Sequence, residues 1–270
     1  MLLKPKHIEP GWARRWPREA AVLVGENFHM WFAAMLALTV IGVCLSHVPF
    51  DGVLYLVLGI FSIKLSQEFA LAAEHKQVTP ANLKTMVLEA ANATIPELGR
   101  NKVLLTAFVI LSLFEAATLL GLVGADAAKS LKEAAQSTAS PSLLELVVGW
   151  PPLVSAGNLY FFGVLASRAN PSVGGILVYP LQRMHGLSFE QAERLVQMGA
   201  RRNIVMVLSL DFAMLVSGLA MLVLLPIMLP FLLVFGPAVT YVACREMFGT
   251  GGPLHAKQTQ TKSSFNLQKA

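Results

Sequence analysis

Six long stretches of apolar residues divide this chain, and segments that contain charged residues separate them. Each stretch is long enough to cross the ~30 Å hydrocarbon layer of a membrane as a helix. In lipid a segment must satisfy its own backbone hydrogen bonds, so such stretches predict helices. The pattern predicts an all-α fold, a polytopic integral membrane helical bundle with about six transmembrane helices. The predicted spans are residues 28–46, 53–71, 103–123, 143–166, 204–224 and 227–243.

The segment after the second span predicts an amphipathic cytoplasmic helix. Thr79 followed by Pro80 is typical of a helix N-cap and the first helical residue. The helix is expected to lie along the membrane or against the bundle. Its apolar residues recur at helical spacing, at Leu83, Met86, Val87 and Ile95.

A second amphipathic cytoplasmic helix is predicted between the fourth and fifth spans. Ser188 and Gln191 have the spacing of a capping box, and one face of the helix carries Phe189, Ala192, Val196 and Gly199. The apolar run 174–180 just before it is too short to span a membrane. That run is expected to dip into the interface or to pack beneath the bundle.

Basic residues give the predicted bundle an orientation. Of the 21 Lys and Arg residues, all but Lys64, Lys129 and Lys132 fall in one alternate set of inter-span segments. Because Lys and Arg concentrate on the cytoplasmic side, both termini are predicted to be cytoplasmic, in a bacterial inner membrane. Residues 1–27 form a basic and aromatic cytoplasmic segment, 28–246 the transmembrane domain and 247–270 a flexible tail. The net charge of +5 then indicates anionic lipid headgroups, not nucleic acid, as the partner.

Four charged residues fall inside the predicted spans, namely Lys64, Glu68, Glu115 and Asp211. A charge at the centre of a membrane helix costs at least ~2.5 kcal/mol on insertion scales and normally requires a partner. Lys64 and Glu68 lie one turn apart, so they share a face and are able to neutralise each other. Three acids against one base leave unbalanced carboxylates, which is typical of a proton- or cation-coupled site.

The same four residues have a purely structural interpretation. Lys64 is then bridged to Glu115, Glu68 lies near the headgroups, and Asp211 is satisfied by Ser209, Ser217 or neighbouring backbone. Transport sites more often show broken helices with several convergent polar groups, whereas polar groups are sparse in these spans. The structural interpretation is therefore preferred.

Prolines mark the break between the last two predicted spans. The apolar run 204–243 is long enough for two crossings, and Pro226 and Pro230 supply the helix break or hinge between them. The chain has no His pair at helical metal spacing, no Cys pair and no phosphate-binding Gly-Lys-Ser/Thr ending. The sequence therefore predicts no metal, no cofactor and no enzymatic activity.

Residues 187–248 carry a resemblance to a group of membrane proteins. They comprise the Leu187–Ala192 segment, the Arg202-Asn203 boundary, a proline-broken double span and an ending of the form Tyr-x-x-x-Arg-x-x-Phe. This segment resembles the C-terminal part of uncharacterised bacterial multi-pass inner-membrane proteins. The resemblance implies a compact helical inner-membrane bundle of unassigned activity, and it assigns no functional residue.

Two functions of different classes remain open at this stage. The preferred one is a non-enzymatic inner-membrane scaffold or accessory subunit of a larger envelope complex, whose partners are membrane lipids and other membrane proteins or a second copy of the chain. The alternative is a small proton- or cation-coupled transporter that uses Glu115 and Asp211 as coupling acids. A lipid-handling membrane enzyme is a weaker third possibility, because it requires a polar cluster that the sequence does not show.

Overall fold

The computed structural model describes part of the chain, and within that part every regular element is a helix. Eight α-helices are described, together with a 3-10 turn at Gly175–Leu177 that leads into α5. The helices are α1 (Trp12–Glu26), α2 (Phe28–Leu45), α3 (Asp51–Glu74), α4 (Pro80–Arg100), α5 (Val178–His185), α6 (Phe189–Arg202), α7 (Ile204–Leu224) and α8 (Leu229–Phe248). The described residues are 4–45, 51–100, 102–103, 105–107, 109–110, 113, 159–160, 162–164, 166, 174–224 and 229–249.

Helices α3 and α8 form the centre of the described bundle. Both are long and apolar enough to cross a membrane, over Gly52–Glu74 and Pro230–Phe248, and 78% of the apolar window of each is buried within the protein. Helix α3 contacts α1, α2, α4, α5 and α8. These two central helices are therefore largely enclosed by other helices, which lets them carry polar side chains that point inward.

Polar side chains tie these central helices together. Trp31 Nε1 on α2 donates to Ser66 Oγ on α3 at 3.0 Å, and Ser66 Oγ donates to Val234 O on α8 at 2.9 Å. Gln67 Nε2 donates to Thr240 Oγ1 on α8 at 2.8 Å. Each of these groups has found a partner on another helix, which is the usual arrangement for polar residues inside a membrane bundle.

Helices α1 and α2 make a right-angled pair. Their axes differ by 91° across a break at Asn27, and the two helices taken as one bent span are long and apolar enough to cross a membrane. Asn27 leaves the helical conformation, with φ −136° and ψ 28°, and so ends α1. Helix α1 buries Trp16, Ala20, Leu23 and Val24 on one face. The first predicted span thus begins at Phe28 as expected, but an amphipathic helix precedes it.

The described residues contain two helices that are able to span a membrane, or three if the bent pair is one span. This is fewer than the six predicted. Most of the predicted spans 103–123 and 143–166 lies outside the described residues. Within α7, the apolar stretch Ile204–Gly218 is shorter than a full membrane span. The described residues thus form a helical protein with two to three candidate membrane spans.

The two predicted amphipathic helices are present as α4 and α6. Ser188 Oγ accepts from Gln191 N at 3.3 Å, and Gln191 Oε1 accepts from Ser188 N at 3.1 Å, so the predicted capping box is confirmed. Ala192, Val196 and Gly199 are buried, as their spacing predicts.

The apolar residues of α4 are divided between the bundle and the exterior. Met86 is buried there with Ala90 and Thr94, but Val87 and Ile95 are exposed, Ile95 by 71%. Helix α4 packs mainly on α3, and small residues at Ala90 and Thr94 suit that close contact. The larger residues therefore lie on a face that points away from the described bundle.

The short apolar run 174–180 packs within the bundle. Ile176, Leu177, Val178 and Tyr179 are buried, and this segment contacts both α3 and α8. Gly174 starts the turn with φ +84°, a conformation that side chains rarely adopt. Of the two placements considered for this run, packing against the bundle is the one observed.

Candidate functional site

Lys64 and Glu68 of α3 lie on a side of the helix that α4 and α5 cover. Lys64 and Glu68 are one turn apart on α3 and are only 6% and 4% exposed. An unpaired buried charge is strongly destabilising, so each requires an opposite charge nearby. Both residues have an oppositely charged partner, but they do not pair with each other.

Lys64 pairs with Glu97 near the end of α4. The Lys64 ammonium and the Glu97 carboxylate form an ion pair whose side chains are 7% and 14% exposed. Lys64 Nζ also lies 4.4 Å from the centroid of the Tyr179 ring, on α5, in a cation–π contact. The predicted neutralisation of Lys64 by Glu68 is therefore wrong, because α4 brings a closer carboxylate to Lys64. The alternative partner, Glu115, lies outside the described residues.

Glu68 is held by two residues of α5. Arg183 donates from Nε to Glu68 Oε1 at 2.5 Å and from Nη2 to Glu68 Oε2 at 3.2 Å, and the Tyr179 hydroxyl donates to Oε1 at 2.9 Å. The two parallel Arg183 bonds are the fork arrangement that fits a carboxylate best. Arg183 Nη1 also lies 3.2 Å from Glu89 Oε2 on α4. One guanidinium thus joins α3, α4 and α5, and Glu68 is paired within the protein.

Tyr179 and Arg183 lie on α5, outside the candidate spans. Burial raises the pKa of the Tyr179 phenol well above its usual value, and the neighbouring Glu68 carboxylate raises it further. For Arg183, burial is the largest single effect and lowers the pKa, but the hydrogen bond to Glu68 and the nearby Glu68, Tyr179 and Glu89 groups together raise the pKa by more, so it stays above its usual value. Tyr179 therefore remains a hydrogen-bond donor and Arg183 remains a cation throughout the physiological range.

A cavity of about 470 Å³ opens beside this cluster. Lys64, Glu89, Glu97, Arg100 and Tyr179 contribute to its wall. The volume lies in the range of small-molecule sites, about 300–1,000 Å³, but such sites are mostly apolar with few polar groups. This wall is rich in charges that are already paired to each other. Its chemistry suits a hydrated polar junction between helices better than a hydrophobic ligand.

The guanidinium of Arg100 closes the cavity on one side. Arg100 lies over the ring of Phe189, with 3.0 Å between the guanidinium carbon and the ring centroid. In the structure its cation–π contact connects the end of α4 to the start of α6.

Of the remaining predicted site residues, the structure describes Asp211 and Pro230, and neither lines the cavity. Asp211 lies partly buried on α7, a helix that contributes no described residue to the cavity wall. Pro230 lies in the first turn of α8, where a proline is tolerated. Glu115 and Pro226 lie outside the described residues. The structure thus brings together Lys64 and Glu68 of the four charged candidates.

Sequence reasoning missed Glu89, Glu97, Tyr179 and Arg183. These residues belong to segments interpreted as cytoplasmic, where charges require no partner. A usable signal was present on α4, since Glu89 and Glu97 are two turns apart with Ala93 midway between them. Small and acidic residues at one-turn spacing form a stripe that fits against a helix carrying a buried lysine.

Within the described residues, no group of three or more His, Cys, Asp or Glu side chains is placed to hold a metal ion. Comparison of the chain with protein-family models, with curated sequences and with solved structures finds no match in any of the three. The resemblance of residues 187–248 to bacterial inner-membrane proteins therefore stays a prediction. Only the sequence and the structure of the chain itself therefore bear on its function.

Proposed function

We propose that this chain is a six-span helical protein of a bacterial inner membrane that serves as a non-enzymatic scaffold or accessory subunit of a larger envelope assembly. The way helix α4 is attached to the bundle supports this proposal. Two ion pairs, Lys64 with Glu97 and Arg183 with Glu89, fix this helix to the bundle. A helix held in this way presents its remaining surface in a fixed orientation.

The single observation that carries the proposal is the apolar stripe on that remaining surface. Leu88 is 57% exposed and Ile95 is 71% exposed, and they lie two turns apart on one face of α4. Exposed apolar side chains on an anchored amphipathic helix are typical of a surface that contacts a partner helix or the membrane interface. The proposal assigns this stripe to a partner membrane protein.

The test is purification of the tagged chain from native membranes in a mild detergent, followed by native mass spectrometry of the intact particle. The wild-type chain should carry a partner at fixed stoichiometry. The double substitution Leu88→Ser with Ile95→Ser should lower the partner occupancy at least about tenfold, since apolar contacts of this size contribute about 1.5–3 kcal/mol each. A wild-type chain that runs alone as one monodisperse species contradicts the proposal.

A matched control keeps this result specific. Val22 on α1 and Met198 on α6 are exposed by 57% and 50%, comparable to the α4 stripe. Val22→Ser with Met198→Ser removes a similar apolar area from other faces and should retain the partner. Equal loss in this control would attribute the effect to general surface polarity instead of the α4 stripe.

The transporter alternative has one observation in its favour, the cavity of about 470 Å³ that Lys64 and Glu97 line. Against it, both oxygens of Glu68 are already occupied by Arg183, so a cation that used Glu68 would first have to break that pair. Reconstituted liposomes with a trapped pH dye separate the two functions. The scaffold proposal expects no proton flux above that of empty liposomes, whereas flux that is abolished by Glu97→Gln, Glu115→Gln or Asp211→Asn would establish the transporter.

A further inference from the structure

The N-terminal helix α1 docks on the ends of the two central helices. Trp16 Nε1 donates to Glu246 Oε2 at 2.6 Å, and Arg15 Nε donates to the same oxygen at 3.1 Å. Glu246 belongs to the last turn of α8. Arg245 Nη1 lies 3.4 Å from Glu74 Oε2, so the ends of α3 and α8 are side by side at this point.

This position places α1 at the edge of the membrane. Both central helices are apolar enough to span, and both end where α1 crosses them. Helix α1 also turns by 91° into α2. An amphipathic helix at a right angle to an apolar one, against the charged ends of two spans, has the geometry of a helix that lies in the headgroup layer.

A groove of about 680 Å³ runs between α1 and the end of α8. Its charged lining residues are Arg14, Arg15, Arg18 and Arg245, with Glu19 as the acid among them. Arg245 is paired with Glu19 and Glu74, and Arg15 is paired with Glu246. The groove therefore carries more positive charge than its own carboxylate neutralises.

Arg14 and Arg18 supply that surplus. Both are exposed on α1, and neither forms a salt bridge with any residue that the structure describes. They lie one turn apart, so their guanidinium groups share a face of the helix. Arginine binds phosphate oxygens with two parallel hydrogen bonds, which gives two adjacent arginines the chemistry of a phosphate site.

The same face of α1 turns apolar beyond the arginines. Val22 follows Arg18 by one further turn, is 57% exposed, and lines the groove with Leu23. The order is therefore cationic groups first and apolar groups next, toward the start of α2. A free phosphate ion has no use for the apolar part, whereas a phospholipid presents a phosphate that is joined to glycerol and acyl chains.

We propose that the groove between α1 and the end of α8 binds the phosphate headgroup of an anionic phospholipid, with Arg14 and Arg18 on the phosphate and Val22 beside the glycerol and upper acyl region. Arg15 and Arg245 hold the groove open through their pairs with Glu246, Glu19 and Glu74. This site is independent of the α4 stripe and of any partner protein.

The test measures lipid retention by the purified full chain. The protein is reconstituted in phosphatidylcholine vesicles that contain phosphatidylglycerol, extracted in mild detergent, and analysed by native mass spectrometry. Wild type should keep a bound phosphatidylglycerol, and Arg14→Gln with Arg18→Gln should lower its occupancy at least tenfold. Equal occupancy in wild type and this variant overturns the proposal.

The matched control removes two exposed cations elsewhere. Lys84 on α4 and Arg194 on α6 are exposed, so Lys84→Gln with Arg194→Gln makes the same change in net charge. This control should retain phosphatidylglycerol at the wild-type level. A loss equal to that of the arginine variant would show that bulk charge, and not the groove, holds the lipid, which overturns the site.

Two further arms distinguish a lipid from a free phosphate and guard against a misfolded variant. Val22→Gln keeps all four arginines and should lower phosphatidylglycerol retention while thermal unfolding stays at the wild-type temperature. Inorganic phosphate added at millimolar concentration should leave the bound lipid in place. Displacement of the lipid by inorganic phosphate, together with an unaltered Val22→Gln, would overturn the assignment to a phospholipid.

Discussion

Asn203 at the junction of α6 and α7 holds the backbone of Ile8 near the N-terminus, with Asn203 Oδ1 accepting a hydrogen bond from Ile8 N at 3.1 Å. The other end of the same amide donates from Nδ2 to Lys6 O at 3.0 Å and to Gly199 O at 3.1 Å. Lys6 N in turn donates to Met247 O at 2.8 Å. The extended N-terminal segment is therefore fixed between α6 and the end of α8.

Replacement of Asn203 by Ala should release this segment. Asn203 is 3% exposed, so its loss leaves the buried N–H of Ile8 and the partly buried carbonyl of Lys6 without their partners. The expected cost is about 2–3 kcal/mol, the usual range for unsatisfied buried polar groups. Limited proteolysis should cut the variant before residue 12 much faster than wild type. Arg202→Ala, which removes one exposed hydrogen bond to Pro5 O, is the control and should change little.

Replacing one residue of the Lys64–Glu97 pair should lower the free energy of unfolding by more than replacing both residues. Both side chains are largely buried, so Lys64→Met or Glu97→Gln leaves one charge or one polar group without its partner, and each single variant is expected to lose about 3–5 kcal/mol. The double variant should recover a large part of this loss. Denaturation in detergent measures the three free energies. Additive losses in the double variant would show that the two residues do not act as a pair.

The close approach of α3 to the helical residues near 163 predicts intolerance at Gly59. A Cβ at Gly59 would lie 2.6 Å from Gly163 N and 2.7 Å from Leu159 O, which are backbone atoms and cannot rotate away. Gly59→Ala should therefore destabilise the protein by about 1–3 kcal/mol, as overpacking does. Gly25→Ala and Gly99→Ala are matched controls, because a Cβ there meets nothing within 4 Å. These two should be neutral or slightly stabilising, and thermal unfolding in detergent compares all three.

Because the Tyr179 phenol is buried, the protein should lose stability at alkaline pH. Burial raises its pKa well above the ordinary value, which an unfolded chain shows at about 10. Below about pH 10 both states keep the proton. As the pH rises further the unfolded state releases it while the folded state retains it, so the contribution of Tyr179 to stability is lost. Tyr179→Phe should show a shallower decline in this range. Unfolding midpoints that fall equally for both proteins would contradict the assignment.

Membrane orientation is a separate prediction. The distribution of Lys and Arg predicts that residue 136 is outside and residue 193 is inside. A reporter fused after residue 136 should be active only in the periplasm, and one fused after residue 193 only in the cytoplasm. The opposite pattern would reverse the topology and would place the Arg14 and Arg18 groove on the outer leaflet.

Some of the site was accessible from the sequence and some was not. Lys64 and Glu68 stood out because charges in an apolar run are rare and require partners. The capping box at Ser188 and the start of α4 at Pro80 were also predicted, because such signals are local. The partners of Lys64 and Glu68 were not predicted, because Glu97 and Arg183 are ordinary surface residues until a neighbouring helix covers them.

By itself, the sequence determined the helical class of the described chain, the start of α2 at Phe28, the bounds of α7 and the presence of the two amphipathic helices, because hydrophobic periodicity and capping act within a few residues of chain. The tertiary structure decided which charges meet. It paired Lys64 with Glu97 and Glu68 with Arg183, and it brought Arg245 to Glu74 and Glu19. These choices depend on how α1, α4 and α5 pack against the central helices. No short-range pattern encodes that packing, since each pair joins residues that only the fold brings together.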